Sequence, residues 1–279
     1  MKNQLSLLSR FTPDKLHLDP YPHIIIEDAL NKTIADELLN QFPNSSVVNS
    51  DESMNNSRWS FSACDVQRDL RVSDIWKKMI DYHTSKEFWD EIRDAFGPNL
   101  ESHIRTSRNQ AALLDDSRVG IRGDHNFDSR DILLEAQISG NTPVTNPTAV
   151  RGTHLDEGNK IFSGLYYLRS HKDDSVGGDF QILRWKKWVP SRLKAQMYFE
   201  GMMDCVELVK RVPYRHNTLV LLLDSIDALH SVSVRFPTNY SRLFLNLDGV
   251  LPDYEYRLGA PNLVARVRRK LPRGTPVNS

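Results

Sequence analysis

The chain has 279 residues, with 36 basic and 36 acidic side chains, so its formal net charge is zero. That balance removes the electrostatic argument for nucleic acid or an anionic membrane as partner, and a hydrophobic fraction of 39% is too high for global disorder and sufficient for a sizeable core. Cys64 and Cys205 form neither a disulfide framework nor a CxxC metal site, and no apolar run approaches membrane-spanning length, so a cytoplasmic, non-secreted protein with free thiols is expected.

In chain order, Pro20-Tyr21-Pro22-His23 leads into the β-branched run Ile24-Ile25-Ile26, a short strand. Ile34, Leu38, Leu39 and Phe42 then repeat at helical spacing. Residues 44 to 68 are rich in Asn and Ser and read as a surface loop. A second helical region covers about 70 to 96. Its second half opens on a capping box at Thr84-Ser85-Lys86-Glu87, repeats Phe88, Ile92 and Phe96, and stops at Gly97-Pro98. Trp76 and Trp89 fall at core positions of this region. A polar segment from Gly120 to Arg130, with Arg122 and His125, reads as a lid.

Beyond residue 130 the segments become short, apolar and separated by turn residues. Candidate strands are Ile132 to Ile138, Ile161 to Leu168, Asp179 to Leu183, Thr218 to Leu223 and Arg242 to Leu247. This texture predicts a sandwich or barrel. The expected fold is α+β with a mainly β core. Residues 1–120 are expected to form an N-terminal helical and strand layer packing on the barrel, 121–250 the barrel and 251–279 a C-terminal extension, with a single domain overall as the alternative. The basic run from Arg266 to Arg273 reads as a solvated tail. The pattern sets no oligomeric state.

Three His-x-Asp tripeptides occur: His17-Asp19, His154-Asp156 and His171-Asp173. The first precedes Pro20 outside the predicted barrel, and the third lies in a polar hairpin expected to face water. The middle one lies between predicted strands. Residues i and i+2 of an extended segment share a face, so His154 and Asp156 can point inward together while Leu155 packs away. His230 follows the apolar run Leu219 to Leu223, where an imidazole is costly without a hydrogen-bond partner or a metal. Two imidazoles and one carboxylate can occupy one face of an iron(II) octahedron and leave three positions open.

From about residue 130 to 248 the chain resembles the iron(II) and 2-oxoglutarate-dependent oxygenases, on the prolyl-hydroxylase-like branch. The markers fall in order: His154-x-Asp156, a strand ending Tyr166-Tyr167-Leu168, the turn Gly177-Gly178-Asp179-Phe180, then His230 and, twelve positions later, Arg242 with Asn246 on the same strand. Pro22-His23-Ile24-Ile25-Ile26-Glu27-Asp28-Ala29-Leu30 looks like the lead-in strand of bacterial members. The resemblance implies a double-stranded β-helix, or jelly-roll, that uses Fe(II), 2-oxoglutarate and O2. It hydroxylates an unactivated C–H and releases succinate and CO2.

It further implies His154, Asp156 and His230 as metal ligands and catalytic centre. Arg242 anchors the far carboxylate of 2-oxoglutarate, where arginine's fork suits a carboxylate. Tyr167 donates to the same carboxylate and Asn246 adds a contact. Gln137 is a candidate cosubstrate or substrate contact, with an ordinary strand position as its alternative. Arg235 is the alternative anchor; it precedes Phe236-Pro237 in a predicted loop. Arg151 and Arg122 are candidate substrate-binding residues, with surface positions as their alternative. Asp156 favours hydroxylation over halogenation, which in related enzymes needs a small residue there. The expected partner is a small metabolite or a peptidyl side chain. The rival readings are a cupin-like metal enzyme and a non-enzymatic ligand-binding β-barrel. Cupins bring their histidines closer together than 154 and 230, and a binding barrel would carry these ordered markers by chance.

Overall fold

The computed structural model describes residues 4–48, 54–104, 117–194 and 203–253. The N-terminal part holds strands β1 (Leu16–His17), β2 (His23–Ile26) and β3 (Arg58–Phe61) and helices α1 (Lys32–Asn40), α2 (Ala63–Arg68), α3 (Asp74–His83), α4 (Lys86–Phe96) and α5 (Pro98–Ile104). The remaining strands are β4 (Val119–Ile121), β5 (Ile132–Asn141), β6 (Lys160–Leu168) and β7 (Phe180–Trp185), then β8 (Val206–Val212), β9 (Thr218–Leu223), β10 (His230–Val232) and β11 (Arg242–Val250). The architecture is mixed, with a mainly β core, as the sequence texture leads one to expect.

Eight strands form one sheet in the order β1-β2-β9-β6-β11-β5-β3, with β4 added in parallel to β5. Three more form a second sheet, β10-β7-β8. Bridges His154 to His230, Thr148 to Arg235 and Val144 to Thr238 lay the segment before β6 antiparallel to β10 and the chain after it.

The alternation of the central strands separates two environments. Leu243, Leu245 and Leu247 of β11 join Ile132, Leu134, Ala136 and Ile138 of β5 in the main apolar cluster. Trp76, Phe88, Trp89, Ile92 and Phe96 from α3 and α4 belong to the same cluster, with Trp89 stacked on Phe162 of β6 at 6.4 Å. The opposite parity, Arg242, Phe244, Asn246 and Asp248, lines a cavity. Register makes rows across this face: Asn246 lies opposite Gln137 and Leu165, and Asp248 opposite Glu135 and Ser163.

Local chemistry explains the helix ends. Asn31 and Ser62 cap α1 and α2 through their side chains. The cap of α4 is Ser85, which accepts from the Phe88 amide at 3.3 Å; Thr84 instead ends α3. The predicted box is therefore shifted by one residue. Gly97, at φ +50, ends α4.

Three expectations need correction. The stretch 44–68 is not one loop, because it contains β3 and α2. Four residues, Arg58-Trp59-Ser60-Phe61, alternate exposed and buried on the sheet edge, too few to reveal a strand before pairing with β5 is known. The segment expected as a lid begins with β4 paired to β5, and His125 Nδ1 accepts from the Ile121 amide at 3.1 Å, which ties the following turn to the sheet. In the third tripeptide, Asp173 does not face water: it is buried, accepts from the Ser175 amide at 2.8 Å and lies 3.5 Å from Arg169. The extension beyond Asp253, with its basic run, lies outside the described residues. No helix among the described residues is long and apolar enough to cross a membrane.

Candidate metal centre

His154 and His230 come together because their backbones exchange two hydrogen bonds, His154 N to His230 O at 2.9 Å and His230 N to His154 O at 3.1 Å. The two rings then sit 4.1 Å apart, centroid to centroid, and Phe180 stacks against His230 at 5.3 Å. Asp156, two residues along the bridged segment, reaches the same point. Its Oδ1 lies 3.7 Å from His154 Nε2 and 4.0 Å from His230 Nε2. Ligand atoms of all three buried residues lie within 4.8 Å of one another, so one ion can reach all of them.

The proton placement suits a metal. His154 Nδ1 is 2.8 Å from Gly152 O and His230 Nδ1 is 2.9 Å from Ala228 O. A carbonyl only accepts, so each Nδ1 carries the proton and each Nε2 turns a lone pair towards Asp156. Burial, then the neighbouring His230 and Arg151, pushes the His154 pKa down to about 3. Burial likewise lowers His230. Both rings are therefore neutral donors at physiological pH.

Asp156 is the anion of the set. Burial would raise its pKa, but the Lys160 ammonium and a Ser163 hydrogen bond favour the anion and hold it below the usual carboxylate range. Ser163 Oγ lies 2.8 Å from Asp156 Oδ2 and 2.6 Å from Asp224 Oδ2. One hydroxyl proton cannot serve two carboxylates. Burial, then the Asp156 charge, pushes the wholly buried Asp224 far above its ordinary value. Asp224 therefore holds a proton and donates to Ser163, whose own proton goes to Asp156. Lys160 bridges the same region, 3.5 Å from Asp156 Oδ2 and 3.1 Å from Asp248 Oδ2.

The cavity beside these residues has a volume of about 380 Å³, near the small end of the roughly 300–1,000 Å³ typical of ligand pockets. Arg242 lines it at 2% exposure. Its Nε donates to Gly178 O at 2.9 Å, Nη1 to Asn141 Oδ1 at 3.3 Å and Nη2 to Tyr167 Oη at 2.8 Å. A guanidinium has five N–H groups. Three are used, which leaves one on each terminal nitrogen, the fork that a carboxylate accepts in bidentate fashion. No carboxylate pairs with Arg242 among the described residues. The Gly177-Gly178 turn brings its carbonyl to Arg242 through two left-handed residues at φ +85 and +78; a Cβ on Gly177 would lie 1.8 Å from Val234 O.

The rival anchor lies elsewhere. Arg235 is fully buried and does not line the cavity; its guanidinium donates to Asn56 Oδ1, Thr142 O and Tyr240 O. Gln137, Asn246, Arg151 and Arg122 all line the cavity. Tyr167 does not, and stands behind Arg242. His17 stacks on His23 in the β1–β2 pair, away from the centre. Sequence reasoning missed Asn141, Lys160, Ser163, Asp224, Asp248 and Arg58. Four of them carried a usable signal: Asn141, Ser163 and Asp248 have the inward parity of their strands, and Asp224 directly follows β9.

No protein-family model matches the sequence, and no curated protein matches it. The solved structures to which the chain is similar include prolyl 4-hydroxylases and a 2-oxoglutarate–iron(II) oxygenase family protein. One is a prolyl 4-hydroxylase from Phytophthora capsici, at 15% identity and a TM-score of 0.47 over 93% of this chain; the chain spans 66% of that protein's length. Another is a Pseudomonas putida prolyl-4-hydroxylase, at 13% identity and 0.43, covering 83% of this chain and 93% of that one. A third is HygX from Streptomyces hygroscopicus with nickel and 2-oxoglutarate bound, at 12% and 0.41, covering 92% and 90%. Likeness this distant carries no chemistry across, so the chemistry rests on the residues of the cavity.

Proposed function

We propose that the protein is an Fe(II)- and 2-oxoglutarate-dependent dioxygenase that hydroxylates an unactivated C–H of a small metabolite or peptidyl side chain, releasing succinate and CO2. The carrying observation is one cavity that holds both a buried His154–Asp156–His230 set with converging lone pairs and a buried Arg242 with a free fork. The reading includes closure of the two sheets as a double-stranded β-helix with an N-terminal helical layer.

His154, Asp156 and His230 would hold the iron, a donor set of the facial two-histidine, one-carboxylate type. Bound iron(II) supplies the redox chemistry that couples oxidative decarboxylation of 2-oxoglutarate by O2 to hydroxylation. Carbonyls of Gly152 and Ala228 hold the imidazoles in the donor tautomer, and Ser163 with Lys160 keeps Asp156 ionised. Arg242 would grip the far carboxylate of 2-oxoglutarate. Tyr167 accepts from Arg242 and fixes that guanidinium from behind, while Gln137 and Asn246 offer amides to the cosubstrate from neighbouring strands. Apolar walls at Leu165, Phe180, Val220, Leu222 and Phe244 restrict water beside the reacting carbon.

The test is an anaerobic titration of the apoprotein with iron(II), then 2-oxoglutarate, followed by visible absorption. A charge-transfer band that needs metal, cosubstrate and His154 is expected. A folded His154→Ala protein with undiminished iron affinity would overturn the assignment.

A further inference from the structure

The charges lining the cavity do not balance. Five cations, Arg58, Arg122, Arg151, Lys160 and Arg242, face three carboxylates, Asp156, Glu157 and Asp248. A divalent metal and a dicarboxylate cosubstrate cancel each other, so their arrival leaves the surplus of positive charge in place. The surplus is not evenly spread. Lys160 lies 3.1 Å from Asp248, with Arg122 3.7 Å from the same carboxylate. Arg151 has Asp156 at 3.6 Å, but it is half exposed and Asp156 is committed to the metal set.

Arg58 has no carboxylate partner among the described residues. It sits on β3, in register with Asn141 and, one strand further, Arg242. Strand spacing puts the two arginine backbones roughly 10 Å apart. Their guanidiniums flank the same ring, 5.5 Å and 5.0 Å from the Phe244 centroid. The Nε of Arg58 donates to Ser60 Oγ at 3.3 Å, its terminal nitrogens have no protein acceptor among the described residues, and the residue lines the cavity. Arg151 lines the same cavity and, like Arg58, is an exposed side chain.

We infer that Arg58 and Arg151 form a subsite for an anionic group, a carboxylate or a phosphate monoester, on the substrate to be oxidised. The inference rests on the oxygenase reading for what happens to that substrate, and on the cavity alone for its charge. Because Arg58 and Arg151 are cations other than Arg242, an anion held there is expected to bind alongside 2-oxoglutarate at the Arg242 fork rather than in its place. Its substrate would be a small acid rather than a neutral peptide segment.

The probes are inorganic phosphate and acetate, titrated calorimetrically into the full chain with iron(II) and saturating 2-oxoglutarate under anaerobic conditions, and again without them. Saturable binding is expected, weakened about tenfold or more in Arg58→Gln and in Arg151→Gln, because each charge-assisted hydrogen bond is strong. The 2-oxoglutarate affinity of Arg58→Gln should stay within about threefold of the parent, far below the loss of a charged contact. Preference for phosphate identifies a phosphate monoester as substrate class, and preference for acetate a carboxylic acid. Absence of saturable binding by either anion, or binding untouched by both substitutions, overturns the inference. So does a large loss of 2-oxoglutarate affinity in Arg58→Gln. Phosphate binding is read without iron as well, so a missing charge-transfer band refutes the oxygenase reading alone.

Discussion

Replacing Arg242 with lysine separates charge from shape at the proposed cosubstrate anchor. The guanidinium spends one N–H each on Gly178, Asn141 and Tyr167 and keeps one on each terminal nitrogen. Lysine keeps the positive charge but presents a point rather than a fork, so one of two charge-assisted hydrogen bonds to a carboxylate is lost. Such a bond contributes roughly 1.5–3 kcal/mol, which corresponds to about a ten- to hundredfold weaker affinity. Arg242→Gln removes the charge as well and should weaken binding further. The assay is 2-oxoglutarate titrated anaerobically into iron(II)-loaded protein, with iron affinity measured separately and expected to be unchanged within about threefold, since the loss falls on the carboxylate contact. Arg235→Lys supplies the contrast. That side chain is wholly buried on Asn56, Thr142 and Tyr240, so its replacement should lower the melting temperature and leave 2-oxoglutarate affinity intact. Unchanged cosubstrate affinity in a folded, iron-binding Arg242→Lys protein would refute the reasoning, and a loss confined to Arg235→Lys would move the anchor.

Ser163→Ala deletes the hydroxyl between Asp156 and Asp224; outer-shell losses of this kind typically weaken metal binding about 10- to 100-fold. Competition with a chelator measures it, Ser163→Thr should restore most of it, and parent-like affinity in the alanine variant would remove Ser163 from the metal site's support. Glu135 gives a pH signature. Burial leads the causes that push its pKa up to about 7 from an ordinary 4.5, and Asp248 adds to it while the Ala63 and Ala136 amides oppose it. A raised carboxyl contributes stability below about pH 4.5 that is lost as pH rises through about 7. The gap corresponds to at most about 3 kcal/mol. Glu135→Gln keeps an acceptor for both amides and removes the ionisation, so its stability relative to the parent should climb between those pH values in urea unfolding. A flat difference would show that Glu135 ionises in the folded protein as it does in the unfolded chain.

Much of the site was legible along the chain because it is local. His154 and Asp156 share a face by the two-residue period of extended backbone, and the Gly177-Gly178 turn is written in residues that tolerate left-handed φ. The long apolar strands and the α4 repeat at 88, 92 and 96 follow the same rule, since burial on one face leaves a period in the sequence. Short elements leave too few residues for a period, which is why β3 and α2 disappeared into an Asn- and Ser-rich stretch.

Tertiary structure decided what depends on pairing between distant segments. The bridge between His154 and His230, the choice of Arg242 over Arg235 at the cavity wall, and the arrival of Arg58 beside Phe244 all follow from strand register. Register is fixed by the summed packing and hydrogen bonding of whole strands, and no spacing within a single segment encodes that sum.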